Sequence, residues 1–127
     1  MKNFETLSTW LKENLDVDVK TGEVTCYMGH VTKRIFVHHR FDLERNGLIA
    51  VLHEAGHAMQ PPIGEGVNAY MKLPENSKKF KRGIWNNEVD AWDRGEELAK
   101  ELKLDVNWKN FYLIKREALK TYEKFNV

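Results

Sequence analysis

Residues 53–57 form the most chemically informative segment of the chain, with the sequence His-Glu-Ala-Gly-His. In an α-helix, residues four apart lie on one face, so His53 and His57 can bind one metal ion through their imidazole nitrogens. Glu54 is rotated by about 100° from His53, where it can accept a proton from a water at the metal without being a ligand itself. This spacing is typical of a catalytic zinc site.

The segment around this motif predicts a helix over residues 42–60. Asp42 is its predicted N-cap, and the Pro61-Pro62 pair ends it near Gln60. An apolar stripe of helical period runs through the segment. The stripe consists of Leu48, Leu52, Ala55 and Met59. The pattern therefore places both histidines near the C-terminal end of one amphipathic helix.

A third metal ligand is expected, because a catalytic zinc usually has three protein ligands and one position open to water. No histidine follows His57, and the offsets at which a metzincin carries its further Gly and His hold Gln60 and Ile63. The single cysteine, Cys26, lies upstream in a strand-like run and is interpreted as buried and inert. A downstream carboxylate is then the simplest third ligand. The candidates are Glu65, Glu75, Glu88, Asp90, Asp93, Glu96 and Glu97.

Glu88 is the favoured candidate because the helix predicted over residues 84–102 can approach the motif helix closely. Ala91 and Gly95 lie on its Glu88 face at helical spacing, and small residues there allow two helix backbones to meet. Residues 55–56 of the motif helix are also small. The other downstream acids are the alternatives to Glu88 as the third ligand.

The H-E-x-x-H motif and an E-x-x-A segment beginning at Glu88, some thirty residues later, resemble the gluzincin metallopeptidases, and most of all the ImmA/IrrE-type family. The resemblance covers roughly residues 1–103, and only the two motif segments are specific to it. It implies a zincin-like fold with Zn²⁺ held by His53, His57 and Glu88. It also implies Glu54 as catalytic base of a soluble endopeptidase, which in several family members cleaves a DNA-binding regulator.

Two further residues are interpreted through this resemblance. Gluzincins commonly place a Tyr or His near the metal to hydrogen-bond the oxyanion, and Tyr70, in the long connection over residues 61–83, is the candidate. A packed loop tyrosine is the alternative. Trp92 stands where larger gluzincins carry an Asp that supports a ligand, so that supporting role stays unassigned.

The basic run Lys78–Arg82 is interpreted as a solvated loop, with contact to an acidic partner or nucleic acid as the alternative.

The remaining pattern predicts one α+β domain over residues 1–127. Its expected elements are a leading helix, a β-hairpin or small antiparallel sheet, the motif helix, the ligand helix and a C-terminal helix. The elements not yet located span residues 3–15 (helix), 23–30 and 34–38 (hairpin) and 106–122 (helix). A turn is predicted at Thr21-Gly22. The strand edge is expected beside the metal, where a peptide can add as another strand, and the last helix is interpreted as a stabilising element.

Composition favours a soluble protein with one modest core. The chain has 127 residues, 42% hydrophobic and 31% charged, and no apolar run of transmembrane length. Its 20 basic and 19 acidic residues give a net charge of +1, which argues against an extended surface for nucleic acid or anionic lipid. A single cysteine suits a reducing cytosol. We therefore expect a cytoplasmic protein with a protein or peptide substrate, and neither nucleic acid nor membrane as partner.

A catalytically silent zinc-binding module is the main alternative to a peptidase. Such a module, from a phage or mobile element, would capture a host factor through the hairpin edge or the long connection. A structural protein without metal is a third interpretation. Zinc content separates the third interpretation from the other two, and cleavage of a partner separates the peptidase from the silent module.

Overall fold

A mixed three-stranded sheet and a set of helices make up the α+β architecture of the computed structural model, which describes residues 2–127. The α+β class predicted from the sequence is confirmed. In chain order the elements are α1 (Lys2–Leu15), β1 (Asp18–Gly22), β2 (Tyr27–Gly29), β3 (Arg34–His38), α2 (Asn46–Ala58), the 3-10 helix η1 (Gly66–Lys72), α3 (Lys78–Glu101), α4 (Trp108–Lys120) and the 3-10 helix η2 (Glu123–Phe125). None of the helices within residues 2–127 combines the length and apolar character needed to cross a membrane.

The sheet is mixed rather than purely antiparallel, because β3 lies between the other two strands. β2 and β3 form the predicted antiparallel hairpin, whereas β1 pairs with β3 in parallel, with Asp18 opposite Arg34 and Gly22 opposite His38. The predicted turn at Thr21-Gly22 is therefore wrong, since both residues belong to β1. This strand lies at a sheet edge and stays partly exposed, so it lacks the apolar alternation that marks a strand in sequence.

Helix α2 carries the motif and is shorter than its apolar pattern predicts, at 13 residues. Asp42 is not its N-cap. The main-chain oxygen of Asp42 instead accepts hydrogen bonds from the amides of Arg45 (3.0 Å) and Gly47 (2.8 Å), forming a turn before the helix. The Asp42 carboxylate accepts a further bond from the Glu44 amide at 2.8 Å. An aspartate at a helix start and an aspartate in a tight turn look alike in sequence, because both satisfy nearby amides.

Helix α3 begins at Lys78 rather than near residue 84, so the basic run lies on a helix and not in a loop. Ser77 is the N-cap, and its hydroxyl accepts a hydrogen bond from the Phe80 amide at 3.1 Å. Together with η1, this early start leaves only short irregular segments in the predicted connection over residues 61–83. A serine that follows a proline-containing turn is a typical helix start, so the sequence contained a signal for the start of α3 at Ser77.

The hydrophobic core lies between the sheet and the helices, with α2 at its centre. Most of α2 is buried, which is expected of a helix that packs on a sheet and on a second helix. The fully buried large side chains are Phe111, Leu7, Leu11, Ile35, Leu48, Ile49, Leu52, Val37 and Val51. Burial of each contributes about 1.5–3 kcal/mol. The helix that presents the motif is therefore held rigidly.

Candidate metal centre

Two glycines allow α2 and α3 to cross at very short range. A Cβ added at Gly56 would overlap the main-chain oxygen of Ala91 on α3, and one added at Gly95 would overlap that of Leu52 on α2. Each glycine thus faces the backbone of the other helix, where no larger residue fits. The close approach predicted from small residues is confirmed. It brings Glu88, about one turn before Ala91, to the face of α2 that carries the histidines.

His53, His57 and Glu88 converge at this crossing. Nε2 of His53 lies 3.1 Å from Oε1 of Glu88, and Nε2 of His57 lies 3.1 Å from Oε2 of the same carboxylate. One donor atom from each residue lies within 4.8 Å of those of the other two. The ligand atoms of a tetrahedral zinc with bonds of about 2.0–2.1 Å are about 3.3 Å apart, and the two histidine–carboxylate distances are close to this value. Two imidazoles and one carboxylate can hold zinc or another first-row divalent ion.

Glu88 and His57 also stabilise each other's charged forms. Burial alone would raise the pKa of Glu88, but hydrogen bonds from His53 and His57 and the positive charges of these rings outweigh burial and lower it to about 2. Burial alone would lower the pKa of His57. The hydrogen bond and charge of Glu88, helped by Glu54 and Gln60, instead raise it above its ordinary value. Without metal, the group therefore behaves as a partly buried ion pair.

Glu54 lies beside this group without belonging to it. Its Oε2 is 3.8 Å from Nδ1 of His53, and its side chain is 8% exposed. Burial raises the pKa of the Glu54 carboxyl, while the charges of His53 and His57 oppose that effect. A carboxyl with a raised pKa is suited to accept a proton and to give it back.

The side-chain amide of Gln60 determines which nitrogen of His57 is free for a metal. Nε2 of Gln60 donates to the main-chain oxygen of Asn87 at 2.9 Å and to the Asp90 carboxylate at 3.0 Å. The oxygen Oε1 of Gln60 therefore faces Nδ1 of His57, at 3.0 Å. Because Oε1 can only accept, Nδ1 carries the hydrogen, and Nε2 of the neutral ring keeps its lone pair for a metal.

This hydrogen-bond network continues from Gln60 into η1. Nδ2 of Asn87 donates to Oε1 of Gln60 at 3.1 Å and to Oδ1 of Asn68 at 2.7 Å. Asn68 in turn donates to the main-chain oxygen of Pro61 at 2.6 Å. Both asparagines are buried. No motif marked these amides in the sequence; the only available signals were the position of Gln60 three residues after His57 and that of Asn87 directly before Glu88.

Trp92 orients the other histidine by stacking. Its ring lies 4.3 Å from that of His53 with an interplanar angle of 10°, and it meets Phe111 edge-on at 5.5 Å. Trp92 is 2% exposed. An aromatic face thus supports His53 at the position where the resemblance would lead one to expect an Asp.

The rival acids have other roles or stay apart from this group. Asp90 pairs with Arg94, Asp93 with Lys115, and Glu96 with Lys100. Within residues 2–127 the only group of metal-compatible side chains is the one formed by His53, His57 and Glu88. The structure therefore brings together the three ligands favoured from the sequence.

An open cleft of about 320 Å³ lies over the group. Its lining includes Glu54 and the three candidate ligands, residues 26–28 and His30 from the hairpin, and Tyr122 from the segment between α4 and η2. β2 is an edge strand of the sheet. The strand edge thus lies beside the candidate metal centre, as expected. Cys26 is half-buried rather than fully buried: it packs against the core and also forms part of the cleft wall.

Tyr70 lies outside this cleft, whereas Tyr122 lines it. The Tyr70 ring packs over Gly83 and contacts Phe80 at 5.2 Å, in a separate groove. Burial raises the pKa of Tyr122, and the carboxylates of Glu88 and Glu54 raise it further, so its hydroxyl stays protonated and can donate a hydrogen bond. Nothing in the local sequence around Tyr122 indicates that the chain returns to the cleft at this point.

Comparison of the chain with protein-family models, with curated proteins and with solved structures finds no match. The geometry of the site is therefore the basis for assigning a class. It defines a His-His-Glu group that can hold a metal ion, with an additional buried carboxyl alongside and a cleft open to solvent.

Proposed function

We propose that the protein is a zinc-dependent endopeptidase of the gluzincin type, with His53, His57 and Glu88 as ligands and Glu54 as catalytic base. The single observation that carries this proposal is the convergence of three donors from two helices, with Glu54 beside them but outside the ligand set. The zincin-like description of the fold belongs to the same proposal. It is supported by the two crossing helices and by the edge strand next to the cleft.

The chemistry divides between the ion and the chain. A zinc ion, when bound, polarises the scissile carbonyl and lowers the pKa of a coordinated water. Glu54 accepts the proton of the attacking water and delivers it to the leaving amine. The raised pKa of Glu54 supports the first half of this transfer, since its conjugate acid forms more readily than that of an exposed carboxylate. Gln60 holds the imidazole of His57 in place by a hydrogen bond, and Trp92 holds that of His53 by stacking.

Two tyrosines are candidates for the hydrogen bond to the oxyanion. The resemblance favours Tyr70, and position favours Tyr122, because only Tyr122 lines the cleft. A donor must come within hydrogen-bonding distance of the developing charge, so position is the stronger argument. We therefore assign this role to Tyr122.

The proposed substrate is an extended peptide segment of a protein. The outer edge of β2 offers main-chain groups beside the candidate ligands, and a peptide that pairs with this edge would place its backbone along the cleft. Main-chain pairing is insensitive to substrate sequence, so selectivity must come from side-chain contacts in the cleft or from a surface elsewhere.

The test compares the wild type with Glu54→Gln, each purified without added metal. Zinc content is measured by elemental analysis, and cleavage of candidate regulatory proteins by mass spectrometry. We expect stoichiometric zinc in both proteins, and cleavage by the wild type alone that stops when a chelator is added. Cleavage by Glu54→Gln at the wild-type rate would remove Glu54 from the mechanism.

A catalytically silent zinc-binding module is the second candidate. The observation in its favour is the short length of β2. This strand has only three residues and therefore offers few main-chain hydrogen bonds to a substrate. The same comparison distinguishes the two candidates: a silent module carries zinc and binds a partner, but leaves that partner intact in the wild type.

A further inference from the structure

A second groove, of about 390 Å³, lies between η1 and the first turns of α3 and shares no residue with the metal cleft. Its wall on α3 has residues at helical spacings of three and four, which form a single face of that helix. The wall residues are Lys79, Arg82, Gly83 and Asn86 on α3 and Gly66, Val67, Ala69, Tyr70 and Leu73 on the opposite side. One side of the groove is therefore mostly apolar and the other carries cations.

The cations at this groove form no ion pair with any side chain of the described residues 2–127. Lys78, Lys79, Lys81 and Arg82 are all exposed, and the ion pairs formed among residues 2–127 involve other side chains. Five basic residues and one acid give residues 72–82 a net charge of +4, so the rest of the chain carries −3 of the total of +1. Positive charge is thus concentrated beside the groove.

This placement of charge is unfavourable for the helix. The N-terminus of a helix carries partial positive charge, so a cation in the first turn destabilises the helix where an acid would stabilise it. The first turn of α3 contains no acidic residue. Residues that destabilise their own helix are expected where the segment has a binding role.

We propose that this groove binds an acidic segment of a protein partner that also carries apolar side chains. Carboxylates would pair with Lys79 and Arg82, and apolar side chains would pack against the η1 wall. The Tyr70 ring already packs against Phe80 and over Gly83, which leaves it poorly placed to stack on a nucleotide base. The groove therefore favours an acidic peptide over nucleic acid. This inference does not rest on the proposed peptidase activity.

The test is a selection of random 12-residue peptides displayed on phage, followed by affinity measurement of the enriched peptides by fluorescence anisotropy. We expect the enriched peptides to combine an excess of Asp and Glu with apolar residues. Their affinity should fall by about tenfold or more in the double variant Lys79→Glu/Arg82→Glu, since two attractive charge pairs become repulsive. This variant should fold normally, because both side chains are exposed and an acid at position 79, in the first turn of α3, suits the helix dipole.

The matched control is Lys109→Glu/Arg116→Glu on α4, which makes the same change in net charge at exposed sites. We expect it to bind the peptides as the wild type does. Equal loss in both double variants, enrichment of peptides without acidic excess, or no enrichment would overturn the proposal. So would tighter binding of a 12-nucleotide single-stranded DNA that is lost only in Lys79→Glu/Arg82→Glu, which would assign the surface to nucleic acid. All arms use the protein as purified and measure neither zinc content nor cleavage, so failure here leaves the zinc and cleavage results untouched.

Discussion

Gln60 sets the proton position on His57, although it lies outside the group of candidate ligands. Its amide is fixed by Asn87 and Asp90, and only one orientation satisfies both acceptors. Trp92 performs a comparable positioning role for His53 by stacking. The geometry of the two imidazoles therefore depends on residues that carry no recognisable motif.

Gln60→Ala is expected to weaken zinc binding by about 10–100-fold, because His57 loses the acceptor that fixes its tautomer. The measurement is competition for zinc with a chromophoric chelator. Asn126→Ala, which removes an exposed amide near the C-terminus, is the control and should bind zinc as the wild type does. Unchanged affinity in Gln60→Ala would show that the bond to His57 is incidental.

The charges of Glu88 and His57 predict a pH-dependent stability of the metal-free protein. The pKa of Glu88 is lowered from 4.5 to about 2, so its contribution is complete above pH 4.5 and is lost as the pH falls towards 2. The pKa of His57 is raised above 6.5, so its contribution is complete below pH 6.5 and is lost as the pH rises through the folded-state value. The stability advantage of the wild type over Glu88→Gln should therefore be largest at about pH 5–6.

Urea unfolding in the presence of a chelator, repeated from pH 3 to pH 9, measures this advantage. A difference between wild type and Glu88→Gln that is constant over the whole range would mean that the ion pair contributes nothing to folding.

Tyr122→Phe is expected to lower kcat by about 100–1,000-fold, the cost of losing one oxyanion donor, while zinc content stays unchanged. Tyr70→Phe is the matched control, since it removes the same hydroxyl from a ring outside the cleft. Its kcat should stay near that of the wild type. The reverse result would return the role to Tyr70, as the resemblance alone suggests.

At the scale of elements, the crossing of α2 and α3 brings the ligands together. Helical periodicity and small residues predicted both helices and their contact, because those features are local and repeat along the chain. β1 and the first turns of α3 were missed. β1 is an exposed edge strand without apolar alternation, and the start of α3 is marked only by Ser77 and is followed by cations that suggest a loop.

Gly56→Ala is expected to destabilise the protein by about 2 kcal/mol. Alanine gains about 1 kcal/mol in helix propensity. Its Cβ would meet the backbone of Ala91, which cannot rotate away, and such overpacking costs about 3 kcal/mol. Urea unfolding gives the change. Gly22→Ala, where an added Cβ meets nothing within 4 Å, is the control and should change stability little. Equal effects of the two substitutions would contradict the close crossing.

At the scale of the whole molecule, η1 lies between two candidate surfaces. Asn68 is buried and joins the network that ends at His57, while Val67 and Tyr70 of the same helix line the basic groove. Sequence alone located the three candidate ligands that the structure brings together, since each lies on a periodic helix, but it did not locate Tyr122 or the groove. Tyr122 reaches the cleft from a segment far away in the chain, and the groove forms only when η1 packs against the start of α3. Neither arrangement follows from a local sequence pattern.

The most direct test of the central claim is anomalous diffraction at the zinc edge from crystals of protein purified without added metal. We expect one anomalous peak about 2.0–2.1 Å from Nε2 of His53, Nε2 of His57 and a carboxylate oxygen of Glu88, with one position open to the cleft. A crystal with no peak between these three side chains, or with the ion held by other residues, would contradict it.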